Sequence, residues 1–478
     1  MPTRVIDVDS SGVEDVVKLM ETSGETRDSY IALSYCWGIG KKGYVTTKAN
    51  LTQRRDNGFD AMILPKTIRH AIGLARRLRI RYLWVDGLCI CQDDTADWDR
   101  ESRVMGRVYA NAYLTISATG VDDSEGGLLF PRTARKTLKL PFTAQNIAGT
   151  VVMSTLPLNK EYFKSFHVEM FNEPLTDRAW CFQERMLSRR ILHFTTSQMY
   201  FECLQGTFGE DGLALPYRST HIGKEAGVMS APGERPSRNT TDTLSQWTDL
   251  LHRYGARKLT YPPDKLPALS AIAEIHQQLL DDEYVAGLWK GSILEGLCWS
   301  SPRSAQSSGL TSAGYRAPSW SWAAVDGVSW HGLKRPWTPM AVIKDSHVVL
   351  DGTNPFGKVK DAWIKLSAPL TPLNPSNAEL DGVSEGEVIV HCADGDKEPM
   401  RISFDAIDTS DEAAIGRIRS MELYSLGLAR VTPPHPSDID YDVSLIVVPV
   451  NDDRMKRVGY TTHRYTRELG EMKDLTLV

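Results

Sequence analysis

The chain reads as an α/β protein with a parallel sheet and flanking helices in its N-terminal half, followed by helical segments and a β-rich C-terminal domain. Three observations predict this. Between residues 30 and 118 apolar strand-like runs alternate with amphipathic stretches, the pattern of βαβ units with right-handed crossovers. Residues 244–254 and 265–280 carry helical patterning. Beyond about residue 315 short apolar runs are separated by turns. The 478 residues suffice for two or three domains of roughly 150 residues each. The expected divisions are 1–215, 216–300 with a mobile loop near 223–241, and 301–478.

The elements follow in order. Tyr30 to Tyr35 (YIALSY) reads as a buried strand. Pro65 opens a helix whose apolar stripe is Ile68, Ala71, Ile72, Ala75 and Leu78. Arg81 to Asp86 (RYLWVD) is the next strand, and the polar run Gln92 to Asp97 suits a helix start. A helix over DWDRESRVMGRVYANA, residues 97–112, precedes a strand at 112–118. One or two strands are expected in 134–158, a helix over about Trp180 to Leu187, and strands at 190–195 and 198–203. The polar stretch 223–241 reads as a loop. KVKDAWIKLSAPL, GEVIVHC, YSLGLARV and YDVSLIVVPV read as C-terminal strands.

Composition excludes several function classes. Hydrophobic residues at 41% and charged residues at 24% are ordinary for a soluble globular chain. A net charge of −5 gives no basic field for nucleic acid. No apolar run approaches the roughly 18 residues that span a bilayer, and MPTRVIDVDSSG has no signal-peptide core. The expectation is a cytoplasmic protein with no membrane segment. The seven cysteines are scattered, which fits reduced thiols. No Cys or His pair has zinc-finger spacing, so no metal is expected. The glycines at 38, 40 and 43 form neither GxGxxG nor a P-loop. Clusters among the twelve tryptophans, such as SWSWAAVDG at 319–327, read as buried anchors.

One carboxylate stands out. At about 100° per residue, Trp98, Val104, Met105, Val108, Tyr109 and Ala112 share one face of the 97–112 helix, and Glu101 falls in its middle. A carboxylate against a core needs a partner. Glu101 is therefore either a buried ion pair, to Arg178 or another arginine, or a group facing a cavity. Asp86 ends a strand and has a capping role as its alternative. Gln183 and Glu184 have a role as partners of backbone groups at a helix N-terminus. Cys36, Cys89 and Cys91 read as small core residues. His193 has no evident Ser or Cys partner.

Four stretches together resemble the HET (heterokaryon incompatibility) domain of filamentous fungi: YIALSYCWG at 30–38, LPKTIRHAI at 64–72, YLWVDGLCICQDDTADWDRESRVMGRVYANAYLTISATG at 82–120 and RAWCFQERMLSRRILHF at 178–194. DKLPALSAIA at 264–273, YVAGLWKGSILEGLCW at 284–299 and YRAPSWSWAAVDG at 315–327 resemble the segment that often follows such a domain. The resemblance implies a fungal source and a role in non-self recognition and programmed cell death. Gly87 and Ala179 depart mildly from the family pattern. A second resemblance is to TIR domains, in which a strand, a loop and a helix carry a Trp-x-x-Glu element. Here the strand is Tyr82 to Asp86 and the element Trp98-Asp99-Arg100-Glu101. It implies a TIR/flavodoxin-like fold and cleavage of NAD at the nicotinamide–ribose bond by Glu101.

That cleavage builds positive charge on the ribose, as in glycoside hydrolysis, and one carboxylate suffices because nicotinamide leaves as a neutral base. Glu101 and Asp86 are the candidate catalytic carboxylates. In open parallel sheets ligands lie beyond the strands' carboxyl ends. There Trp37 is placed to stack on a ring, Ser34 or Gln92 to bind ribose hydroxyls, and Arg178 to pair with a phosphate. Tyr35, Asp93, Gln183 and Glu184 complete the candidate ligand set. NAD is expected as substrate, with no permanently bound cofactor. Two alternatives stand beside this reading: a HET scaffold recruited as a biosynthetic enzyme for a small organic substrate, and a non-catalytic signalling module that self-associates.

Overall fold

The structure is a computed structural model. It describes residues 1–9, 15–38, 43–129, 137–144, 147–154, 173–210, 212, 214–216, 240–301, 315–330, 333, 336–380, 387–392, 399–405, 412–432, 439–464 and 470–478. The chain divides into two compact units, Met1–Glu225 and Ala226–Val478.

In the first unit the elements are β1 (Arg4–Asp7), β2 (Val16–Glu21), β3 (Tyr30–Ser34), α1 (Leu51–Asp56), β4 (Phe59–Asp60), α2 (Lys66–Arg77), β5 (Tyr82–Trp84), α3 (Asp86–Cys89), α4 (Thr95–Asn111) and β6 (Leu114–Ser117). Then come β7 (Thr137–Ala144), β8 (Ile147–Ser154), α5 (Ala179–Leu187), β9 (Arg190–Phe194), β10 (Met199–Cys203), β11 (Gly206–Gly209) and β12 (Ala214–Pro216). Every residue of β3 is buried, as a strand covered on both faces requires. Pro65 sets the entry to α2, which buries Ile68, Ala71, Ile72 and Ala75. Asp94 caps α4 by accepting from Ala96 N at 3.2 Å and Asp97 N at 3.4 Å.

Ten strands form one sheet in the order β12-β11-β10-β9-β6-β3-β5-β1-β2-β4. Parallel pairing joins β9 to β6, β6 to β3 and β3 to β5, and the remaining described pairings in this sheet are antiparallel. The expected parallel sheet is thus corrected to a mixed one. The short links Phe194 to Met199 and Cys203 to Gly206 can close only antiparallel hairpins, since a parallel return needs a dozen or more residues. On the other side, the N-terminal β1 pairs antiparallel with β5. α4 and α5 pack together, with Trp98 and Trp180 edge-to-face at 6.1 Å. The strands expected in 134–158 are the hairpin β7–β8.

In the second unit the elements are α6 (Thr240–Gly255), α7 (Ser270–Leu280), β13 (Tyr284–Val285), β14 (Leu288–Trp289), α8 (Ile293–Gly296), β15 (Trp299–Ser300), β16 (Ser329–Trp330), β17 (Trp337–Pro339), β18 (Val342–Leu350) and β19 (Val359–Leu380). They continue with β20 (Glu387–Cys392), β21 (Met400–Phe404), α9 (Glu412–Arg419), β22 (Tyr424–Val431), β23 (Tyr441–Asn451), β24 (Arg454–Arg464) and β25 (Glu471–Leu477). Strands β17–β25 build one sheet around the long β19, which pairs in turn with β18, β25, β22 and β20. Its core includes Val388, Ile402, Phe404, Ile415 and Ile446. Rings from α6, α7, β13 and β14 interlock: the Trp247 ring lies 5.1 Å from His276 and 5.2 Å from Trp289. Of the loop expected at 223–241, residues 223–239 lie outside the described residues, and Thr240 opens α6. Among the described residues no helix is long and apolar enough to cross a membrane.

Candidate active site

The parallel strands define where a ligand would sit. In chain order they are β3, β5, β6 and β9, and in space they run β5-β3-β6-β9. The chain steps outward from β3 to β5, then returns across β3 to β6. The order therefore reverses between β3 and β6, and ligands of open α/β sheets bind beyond the carboxyl ends at such a point. Ser34 and Ser117 stand side by side in register there.

Three segments converge on this edge. β3 runs into Tyr35, Cys36 and Trp37. β5 leads into α3, opened by Asp86. α5 supplies Cys181, Gln183 and Glu184, with Arg178 at its N-terminal boundary. The Ser34 hydroxyl donates to Glu184 Oε2. Asp86 accepts from the Trp37 indole at 2.8 Å and from Gly87 N at 2.6 Å. Arg178 donates to Tyr35 O at 2.9 Å. The Tyr35 and Tyr44 hydroxyls meet at 3.0 Å. A Cβ on Gly87 would stand 3.0 Å from the Tyr35 hydroxyl and 3.3 Å from Tyr44, so a glycine here leaves room for both phenols. Gln183 is fully buried, and neither its amide nitrogen nor its oxygen has a hydrogen-bond partner among the described residues. An unmet buried amide is costly and is the group a ligand would complete.

The electrostatics single out Glu184. Burial, reinforced by Asp86, pushes its carboxyl up to about 7 against the Ser34 hydrogen bond and Arg178. Asp86 is also raised by burial, opposed by its Trp37 and Gly87 hydrogen bonds. Burial works against the Arg178 cation, but Cys181, Cys36, Glu184 and Asp86 together hold it above its ordinary value. Burial raises the thiols of Cys36 and Cys181, so neither has the thiolate character of a nucleophile. The chemistry available is that of a carboxyl titrating near neutrality, a second carboxyl and a guanidinium.

The expected residues divide between this edge and others. Ser34, Tyr35, Trp37, Asp86, Arg178 and Glu184 come together. Gln183 lies on the same helix. Gln92 instead braces the loop, donating to Asp86 O at 3.0 Å and Ile90 O at 3.2 Å. Asp93 is exposed and accepts from Lys48 N at 2.8 Å. Glu101 is 2% exposed and sits in a separate cluster. Arg4 Nη2 lies 3.8 Å and Arg100 Nε 3.6 Å from its Oε1. Arg4 also pairs with Asp97 and donates to Cys89 O at 2.7 Å. Burial raises the Glu101 carboxyl, opposed by a Thr3 hydrogen bond and Arg4. The arginines beside Glu101 are thus Arg4 and Arg100, not Arg178.

Two further corrections concern local chemistry. Asp86 does not end β5, which stops at Trp84, but opens α3. Gln183 and Glu184 lie well inside α5 rather than at its N-terminus. His193 Nδ1 meets Thr119 Oγ1 at 3.0 Å and Nε2 meets Glu202 Oε2 at 2.8 Å, a threonine and a carboxylate rather than a Ser or Cys nucleophile. Tyr44, Tyr109 and Cys181 also belong to the site. Tyr109 lies on the predicted apolar face of its helix; its hydroxyl donates to Leu33 O at 3.2 Å, and burial, with Glu184 and Asp86, raises its phenol, an influence across helices that has no local signal.

Residues 30–184 match the family described as Heterokaryon incompatibility protein (HET). This chain carries a HET domain. The match takes in β3, the α2–α4 segment, β6 and α5 as far as Glu184, so every residue gathered at the switch point falls within it. Over 104 residues the chain is 32% identical to the protein named Heterokaryon incompatibility protein 6, OR allele, of Neurospora crassa, covering 20% of this chain. The chain spans about 15% of that relative's length. No solved structure matches the chain.

Proposed function

We propose that the HET domain acts in fungal non-self recognition as a TIR-like enzyme that binds NAD or a related nucleotide at the switch point and cleaves its N-glycosidic bond. The observation that carries this reading is Glu184, a carboxyl at about 7, held by Ser34 at the edge where α/β sheets take ligands. The strand order second-first-third-fourth is that of flavodoxin-like sheets, and the orphan amide of Gln183 supports an occupant.

In this scheme the bond from ribose C1′ to the nicotinamide nitrogen breaks with its electron pair going to nicotinamide. Positive charge builds on the ribose, and ionised Glu184 opposes it in a water-poor site. Water then adds at C1′ and passes its proton to Glu184, whose pKa suits that exchange near neutrality. Trp37 offers a half-buried ring face and Arg178 a phosphate partner. Asp86 holds Trp37. Glu101, nominated by the Trp-x-x-Glu resemblance, is assigned here to the cluster that ties β1 to α4.

The test follows free nicotinamide after purified protein is mixed with NAD. Release by wild type, reduced at least ~100-fold in Glu184→Gln and largely kept in Glu101→Gln, is the expected result. Absence of release from wild type, or loss confined to Glu101→Gln, overturns the assignment.

A second reading, self-association without turnover, has one observation behind it. The β7–β8 hairpin leaves Leu138, Phe142, Ile147, Val151, Val152 and Met153 exposed, and exposed apolar patches mark contact surfaces. Sedimentation across a concentration series, with Phe142→Ser and Val152→Ser as controls, distinguishes it.

A further inference from the structure

The sequence stretches DKLPALSAIA and YRAPSWSWAAVDG place two buried cations together in the second unit. Lys265 is fully buried, and Arg316 is 7% exposed. The Lys265 ammonium donates to Gly255 O at 2.7 Å and lies 5.2 Å from the Tyr254 ring centroid. Both cations converge on a single oxygen, Oδ1 of Asp326, at 3.5 Å from Lys265 and 3.0 Å from Arg316. Nearby Asp264 is engaged by Lys358 at 3.2 Å. Two buried positive charges thus share one carboxylate.

Arg316 reaches Asp326 through Nη1 alone. Its Nε and Nη2 are buried and have no hydrogen-bond partner among the described residues. These two nitrogens form one edge of the guanidinium fork, the edge that grips a carboxylate or phosphate through two parallel hydrogen bonds. Residues 302–314, just before Arg316, contain no Asp or Glu, so that stretch has no carboxylate to offer. Burial lowers the Lys265 ammonium to about 8, with Asp326 opposing the shift, as expected for a cation with too little counter-charge.

We propose that the second unit binds a small oxyanion, a carboxylate or a phosphate, on the open fork of Arg316 beside Lys265. The site is independent of the HET switch point and of the reaction assigned there. It takes a single negative charge, the excess left once Asp326 is counted, and Lys265 faces the same anion as a point charge.

The experiment titrates the full chain with inorganic phosphate and, separately, with acetate, against chloride at equal ionic strength. The readouts are tryptophan fluorescence, reported by Trp322 at 5.9 Å from Tyr254, and the thermal midpoint. A saturable change with either oxyanion is expected, at least tenfold weaker in Arg316→Gln and also in Arg316→Lys, which keeps the charge but not the fork. A response to phosphate alone or to acetate alone names the class. No saturable change in wild type beyond that with chloride overturns the proposal, whether or not the variants fold. An undiminished response in Arg316→Gln does so too.

Discussion

Glu184 carries its charge where charge is expensive, and this has a consequence for stability that needs no substrate. Its carboxyl titrates at about 7 in the folded protein instead of 4.5. A raised folded pKa means that the native state holds the proton more tightly than the unfolded chain. The stability it contributes is therefore complete below about pH 4.5 and is lost as pH rises through about 7. Glu184→Gln mimics the protonated form and escapes this loss. Denaturant midpoints should place the variant level with wild type near pH 4.5 and more stable by ~3 kcal/mol above pH 7. A variant less stable than wild type at pH 8 would mean that the carboxylate form is the favoured one. The local sequence marks Glu184 only as one of three consecutive polar residues in an otherwise apolar helix. Its raised pKa comes from burial and from Asp86, against the Ser34 hydrogen bond, and these surroundings are distant in sequence and meet it only through the fold.

At the scale of elements, α4 and β1 depend on one arginine. Arg4 is buried, pairs with Asp97, approaches Glu101 and ties down Cys89 O. Arg4→Met leaves Asp97 and Glu101 without their buried cation, with the exposed Arg100 beside them, and the loss of one partner of a buried pair costs ~3–5 kcal/mol. Chemical denaturation measures it, and a cost under 1 kcal/mol would show that Arg100 alone meets Asp97 and Glu101. The periodicity of α4 correctly placed Glu101 on the buried face, because a 3.6-residue repeat is a local property. The partner could not be read locally, since Arg4 lies in a four-residue strand too short to stand out. β1 also explains why a parallel sheet was expected and a mixed one found: its antiparallel pairing with β5 is a long-range choice. The central βαβ segments were legible because their buried strands and amphipathic helices alternate at ordinary lengths.

The whole molecule consists of two units with separate cores. Calorimetry of the full chain should accordingly resolve two unfolding transitions. Arg4→Met lowers one. Arg457→Met lowers the other, because Arg457 is buried against Asp405 at 2.7 Å, donates to Leu297 O at 2.7 Å and packs 3.3 Å from the Trp299 ring. Each shift should be roughly 10 °C, and a single transition moved by both substitutions would contradict two independent units. The C-terminal strands were legible from their short apolar runs between turns, whereas α9 was not, being two turns long within a β-rich sequence.

Whether the switch-point carboxyl operates on an N-glycosidic bond is decided by the pH dependence of nicotinamide release from NAD. The wild-type rate should rise with pH through an inflection near 7, as Glu184 ionises, with no such release from Glu184→Gln. A wild-type protein inert toward NAD at every pH, or a Glu184→Gln variant with the same rate and the same inflection, would contradict it.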